Sequence, residues 1–172
     1  MKCIKCSNSA DTDLKHLGSL CNKCFLKTIE KRIRKDLALN KIFSPNDKVL
    51  LLNDNSLKAK ISKFFLNQIS KSIPLDIDVK KQKSSKKYNK IVFPENLDDE
   101  IETFLKSLFT NKAYKPSKKI CLLRTVSDEE ILTVKKILKL KGNIKKSDLG
   151  KKLDNLEKNY PGSKFGLFKS LQ

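Results

Sequence analysis

From Lys48 onward, short apolar runs alternate with amphipathic stretches, and this rhythm limits the possible folds more than any other feature of the chain. Residues 48–52, 73–79, 91–93 and 120–123 read as strands. Residues 56–68, 96–109, 127–140 and 148–160 carry apolar side chains at helical spacing. Helix starts are marked by Asn96 or Asp98 and by Ser127 with Glu130 three residues on. Gly142 and Pro161-Gly162 mark stops. Strands that alternate with helices in this way imply an α/β fold with a parallel sheet and crossover helices. Ligands of such sheets sit beyond the carboxyl ends of the strands, so the loops after Leu52 and Phe93 are the places to look for chemistry.

Upstream of the sheet, residues 25–39 repeat Phe25, Ile29, Ile33 and Leu37 with lysines and arginines on the other faces, a basic amphipathic helix. Residues 80–90 carry six lysines and a single hydrophobe, Tyr88, and read as a solvated loop.

Four of the five cysteines fall in the first 24 residues as Cys3-x-x-Cys6 and Cys21-x-x-Cys24, joined by a polar loop that ends in Gly18. Two residues between ligands let both thiolates of a pair reach one ion, and four thiolates close a tetrahedral shell with no open position. The expected cofactor is a structural zinc. An iron cluster is the alternative ligand, and nothing in the sequence calls for one. His16 lies between the pairs, but the shell is already full, so it is expected at the surface. Cys121 stands in an apolar run and reads as a buried small hydrophobe.

Net charge is +19, with only 19 acidic residues against 38 basic ones, so most lysines have no acid to pair with. Such an excess implies a polyanionic partner, RNA ahead of DNA. No apolar run is long enough to cross a bilayer, no signal peptide is visible, and a cytoplasmic protein without a membrane partner is expected.

Two segments resemble chemistry and argue against it. The loop 53–59, Asn-Asp-Asn-Ser-Leu-Lys-Ala, follows the first strand of the sheet, where a nucleotide fold binds phosphate. It has no glycine to let the backbone approach, and Asp54 adds negative charge. No nucleotide-binding residue is assigned. Asp98, Asp99 and Glu100 are better read as acids at a helix N-terminus than as an acid–base pair, and no catalytic residue is assigned.

The opening cysteine pairs, the basic helix with Lys31, Arg32, Arg34 and Lys35, and then Asp47-Lys48-Val49-Leu50 together resemble the tRNA 2-thiolation family of PP-loop ATP pyrophosphatases. Asn96-Leu97-Asp98-Asp99-Glu100 is similar to that family's HNLDDE motif. Leu122-Leu123-Arg124 with Ser127 to Glu130 is similar to its KPLR segment. Leu153 to Glu157 followed by Tyr160-Pro161-Gly162-Ser163-Lys164-Phe165 is similar to its YPGTKF ending. The departures are as specific. The SGGKDS loop would fall on residues 54–59 with its glycines and serines gone, and Glu95 replaces the histidine of HNLDDE. The mid-chain cysteine pair and the catalytic cysteine have no counterpart.

The resemblance implies a shortened Rossmann-like PP-loop sheet, of the adenine nucleotide alpha hydrolase-like kind, with an N-terminal zinc-binding knuckle. The implied organisation is a zinc finger over 1–25, a basic linker helix over 26–46 and a degenerate PP-loop domain over 47–172. It implies a pseudoenzyme, the noncatalytic second subunit of the cytoplasmic tRNA 2-thiolation complex, binding tRNA and pairing with a catalytic PP-loop thiolase paralogue. Lys31, Arg32, Arg34, Lys35 and Arg124 are the expected RNA contacts, made to phosphates. The rival readings are a stand-alone zinc-ribbon RNA-binding protein and a divergent active thiolase.

Overall fold

The computed structural model describes residues 1–81, 87–114 and 118–171, so residues 82–86 of the expected lysine-rich loop lie outside the described residues. Two short strands, β1 (Thr12–Leu14) and β2 (Gly18–Leu20), pair antiparallel between the cysteine pairs. Gly18 turns this hairpin with φ +74, a left-handed conformation that L side chains resist. The hairpin runs directly into α1 (Asn22–Leu39).

A four-stranded parallel sheet follows: β3 (Asp47–Leu52), β4 (Leu75–Lys80), β5 (Lys90–Asn96) and β6 (Ile120–Leu123), in the order β4-β3-β5-β6. Helix α2 (Leu57–Ser70) connects β3 to β4, and α3 (Leu97–Phe109) follows β5 without a break. Beyond β6 come α4 (Asp128–Ile137), α5 (Asp148–Asn159) and α6 (Ser163–Lys169). The expected α/β class with a parallel sheet is therefore what the chain adopts. The short hairpin and α6 are additions that the sequence pattern does not announce.

Helix α1 packs its apolar side into the main core: Phe25, Ile29 and Ile33 are fully buried and Leu37 nearly so. Burying one such side chain contributes about 1.5–3 kcal/mol, so the helix expected as a linker is anchored to the body along its length. Val49 and Leu51 of β3, Ile61 and Phe65 of α2, and Ile131 and Val134 of α4 share that core with Leu14 and Leu20 of the hairpin. A smaller cluster joins Leu97 and Ile101 of α3 to Leu153 of α5 and Phe168 of α6.

The helix starts follow their capping residues. Ser56, Asn96, Ser127 and Ser147 each accept a backbone N–H of the first turn. Asn96 with Asp99, and Ser127 with Glu130, complete reciprocal capping boxes.

The connection from β3 runs to β4 on one side and that from β5 runs to β6 on the other, so the strand order reverses between β3 and β5. This is the point where an open α/β sheet forms its binding crevice.

Candidate functional site

Two places gather polar side chains. At the N-terminus, the Sγ atoms of Cys3, Cys6, Cys21 and Cys24 all lie within 4.8 Å of one another, with Cys6 and Cys21 Sγ 3.6 Å apart. One tetrahedral ion with metal–sulfur bonds of about 2.3 Å holds its four sulfurs roughly 3.8 Å apart, so these residues fit a single shared ion. The chain builds the site locally. Cys3 and Cys6 flank a tight turn in which the Ser7 N–H donates to the Cys3 carbonyl at 2.9 Å. Cys21 precedes α1 and Cys24 lies in its first turn.

Thiol acidities differ sharply within the cluster. The backbone N–H of Cys21, outweighing burial and helped by those of Lys5 and Cys6, brings the Cys3 thiol down to about 6. The Cys6 and Cys21 thiols push Cys24 up to about 12. A cation at the centre reverses that crowding, since it favours four thiolates over four thiols. The four expected ligands are thus brought within reach of a single ion.

The second place is a cleft of about 580 Å³ beyond the carboxyl ends of β3 and β5, lined among others by Leu52, Asp54, Lys58, Glu95, Asp99 and Lys119. Lys58, from the first turn of α2, donates to Asp99 Oδ2 at 2.7 Å and Asn96 Oδ1 at 2.9 Å, and lies 3.5 Å from Asp128 Oδ1. Asn96 holds Asp128 Oδ1 through its Nδ2 at 2.8 Å. In the loop expected to lack a phosphate cradle, two amides are taken by the loop's own side chains. The Asn55 N–H donates to Asn53 Oδ1 at 3.0 Å and the Ser56 N–H to Asp54 Oδ1 at 2.9 Å.

A buried ionic chain joins α3, α5 and α6. Lys164, 2% exposed, pairs through its Nζ with Asp98 and with Asp154 Oδ1 at 2.7 Å. The Asp128 N–H donates to Asp98 Oδ2 at 2.8 Å. Burial, then the Asp128 charge, raises the Asp98 pKa, and Lys164 opposes both. Asp98 is therefore held between the Lys164 ammonium and the Asp128 N–H at the start of α3.

The five expected RNA contacts separate into two groups. Lys31 and Lys35 are exposed. Arg32 Nη2 pairs with the buried Glu130 at 2.5 Å and stacks 5.1 Å from the Phe165 ring. Arg34 binds Glu30 Oε1 at 2.8 Å, the Ser72 hydroxyl and the Gln68 carbonyl. Arg124 lies 3.5 Å from Asp36 and over Phe168.

His16 is not at the surface. Its Nε2 is 3.1 Å from Glu130 Oε1, and its side chain is 10% exposed. Sequence reasoning missed it because Glu130, its partner, already had a visible role as a cap. Cys121 is buried as expected, and burial first, then Glu95, pushes its thiol up to about 12. Among the described residues, no helix is long and apolar enough to cross a membrane.

With the geometry in place, the fold defines a class: an α/β protein with a four-stranded parallel sheet and an N-terminal four-cysteine cluster. The chain superposes on the U34-tRNA thiolase NcsA from Methanococcus maripaludis, solved with its [4Fe-4S] cluster, with a TM-score of 0.80. The match covers 99% of this chain and 85% of that one at 19% identity, a likeness that shows the fold. No protein-family model and no curated protein matches the chain.

These findings correct the expectation of a pseudoenzyme. The neighbour that shares the fold of 99% of this chain is itself a thiolase. The missing loop glycines remove one way of holding phosphate, while ionisable groups, Lys58 and Asp99 among them, still line the cleft.

Proposed function

We propose that this protein acts in 2-thiolation of the tRNA wobble uridine, that it binds tRNA, and that its four-cysteine cluster holds one structural zinc. The observation that carries the reading is the shared fold with a U34-tRNA thiolase over 99% of the chain. The net charge of +19 supports a polyanionic substrate. Zinc is favoured over an iron–sulfur cluster by spacing: sulfurs within 4.8 Å of one another suit a single ion. A cubane places a separate iron behind each thiolate and spreads the sulfurs further apart. Pairing with a second PP-loop thiolase chain, expected from the sequence resemblance, is part of the proposal.

The experiment is affinity purification from native cells, with sequencing of the bound RNA and identification of bound protein, alongside mass spectrometry of tRNA nucleosides after gene deletion. Enrichment of tRNAs with U34, recovery of a PP-loop chain and loss of 2-thiouridine on deletion support the reading. An unchanged 2-thiouridine level together with enrichment of ribosomal RNA overturns it in favour of a stand-alone RNA-binding protein.

A further inference from the structure

Helix α1 carries lysines at positions 23, 27, 31 and 35, a strict four-residue repeat, and all four are exposed. The buried residues Phe25, Ile29, Ile33 and Leu37 follow the same repeat two positions later, so the lysines lie on the side of the helix turned away from the core. At 1.5 Å per residue the row spans about 18 Å.

Side chains four apart on a helix are neighbours, and like charges there repel. The usual remedy is an acid on the same face. Helix α1 has two acids, and both are engaged elsewhere: Glu30 with Arg34 and Asp36 with Arg124. Among the described residues, no side-chain hydrogen bond or ion pair reaches the ammonium of any of the four lysines. A fifth ammonium adjoins the row, since Lys5 Nζ donates to Thr28 Oγ1 at 2.8 Å, and the metal knuckle that contains Cys3 and Cys6 is what sets Lys5 there.

We infer that the row Lys23, Lys27, Lys31 and Lys35 is the surface on which the phosphate backbone of an RNA stem lies, with Lys5 at its edge. This rests on the tRNA reading above and names the face that serves it. A regular line of like charges with no neutralising acid matches a polymer that carries charge at regular intervals. The three arginines, held by Glu130, Glu30 and Asp36, do not take part. A bilayer surface fits less well, because the apolar side that an interfacial helix would insert is fully used in the core.

The test measures the affinity of the full chain for an unmodified tRNA transcript with U34 across a salt series. It compares wild type, a K23Q/K27Q/K31Q/K35Q variant and a control K63Q/K136Q/K145Q/K152Q variant of equal net charge. The α1 variant should keep its circular dichroism spectrum and melt no lower than wild type, since repulsion is relieved. Its affinity should fall about tenfold or more and its log–log salt slope should flatten by about three, while the control changes far less.

Equal losses in both variants would overturn the inference in favour of diffuse attraction. Full tRNA binding by the α1 variant would overturn it while leaving the tRNA reading intact. Loss of binding to phosphatidylserine vesicles with tRNA binding unchanged would assign the row to a membrane instead. A wild type that binds no tRNA would sink the functional reading and this one with it.

Discussion

Arg32 and Glu130, 98 residues apart, meet at 2.5 Å beneath the surface, with His16 on the other carboxylate oxygen at 3.1 Å and the Ser127 N–H donating at 2.9 Å. One carboxylate thereby ties the cysteine hairpin, α1 and α4 together, and the Phe165 ring, 5.1 Å from both Arg32 and His16, adds α6.

Replacing Glu130 by Gln should leave Arg32 without its counter-charge and weaken the His16 contact. Breaking a buried pair costs about 3–5 kcal/mol. Arg32 keeps 26% of its side chain in water, so a loss of about 2–4 kcal/mol is expected in urea unfolding. Arg32→Glu should cost more, because two carboxylates would then share the site. A stability change within about 0.5 kcal/mol, roughly the scatter of a surface change, would refute the assignment.

The same group sets an acid limb. Burial pulls the Glu130 pKa up, but the His16 hydrogen bond and the Arg32 charge outweigh it and hold the group below the usual carboxylate range. A lowered folded value means that its stabilisation is complete above the ordinary Glu value, about 4.3–4.5, and is lost as pH falls through the folded value. Asp154 is also lowered, against burial, by the hydrogen bonds of Lys146 and Lys164, and acts in the same direction. Asp98, raised by burial, has the opposite sign. Urea midpoints measured from about pH 6 to about pH 3 should fall in the wild type and fall less steeply in Glu130→Gln.

Lys164 is the keystone of α6. Lys164→Met should leave Asp98, 3% exposed, without an ammonium and cost about 3–5 kcal/mol. Helix α6 should detach first, because Phe168 and Lys164 are its buried residues. Limited proteolysis that cuts after Tyr160 in the variant and not in the wild type would check this, and equal resistance would count against it.

Metal content offers a direct measurement. Elemental analysis should find one zinc per chain, and Cys24→Ser should lose it and broaden the amide signals of residues 1–24, a segment short on core of its own. A chain carrying four irons, or a metal-free chain with an ordered hairpin, would show the single-ion reading to be mistaken.

What was legible in the sequence was whatever repeats locally. The strands β3 to β6 and helices α1 to α5 were visible because hydrophobic spacing and capping residues are short-range signals. The hairpin strands are three residues each, too short to show alternation, and α6 follows the Pro161-Gly162 stop as a seven-residue helix with weak periodicity. The metal ligands were legible because their spacing is the chemistry. The arginines were not, because charge is visible in a sequence while the partner that neutralises it, 98 residues away for Arg32, is not. Similarly, Glu130 was recognised as a cap, but a cap's second oxygen carries no sequence mark.

Cys21 and Cys24 stand at the start of the helix whose next residue inward, Phe25, is already in the main core. An ion that binds this site only in the folded chain therefore stabilises the whole body by mass action, about 1.4 kcal/mol for every tenfold rise in free metal above its dissociation constant. With an ion so bound, metal supply becomes a determinant of how long the folded chain survives proteolysis.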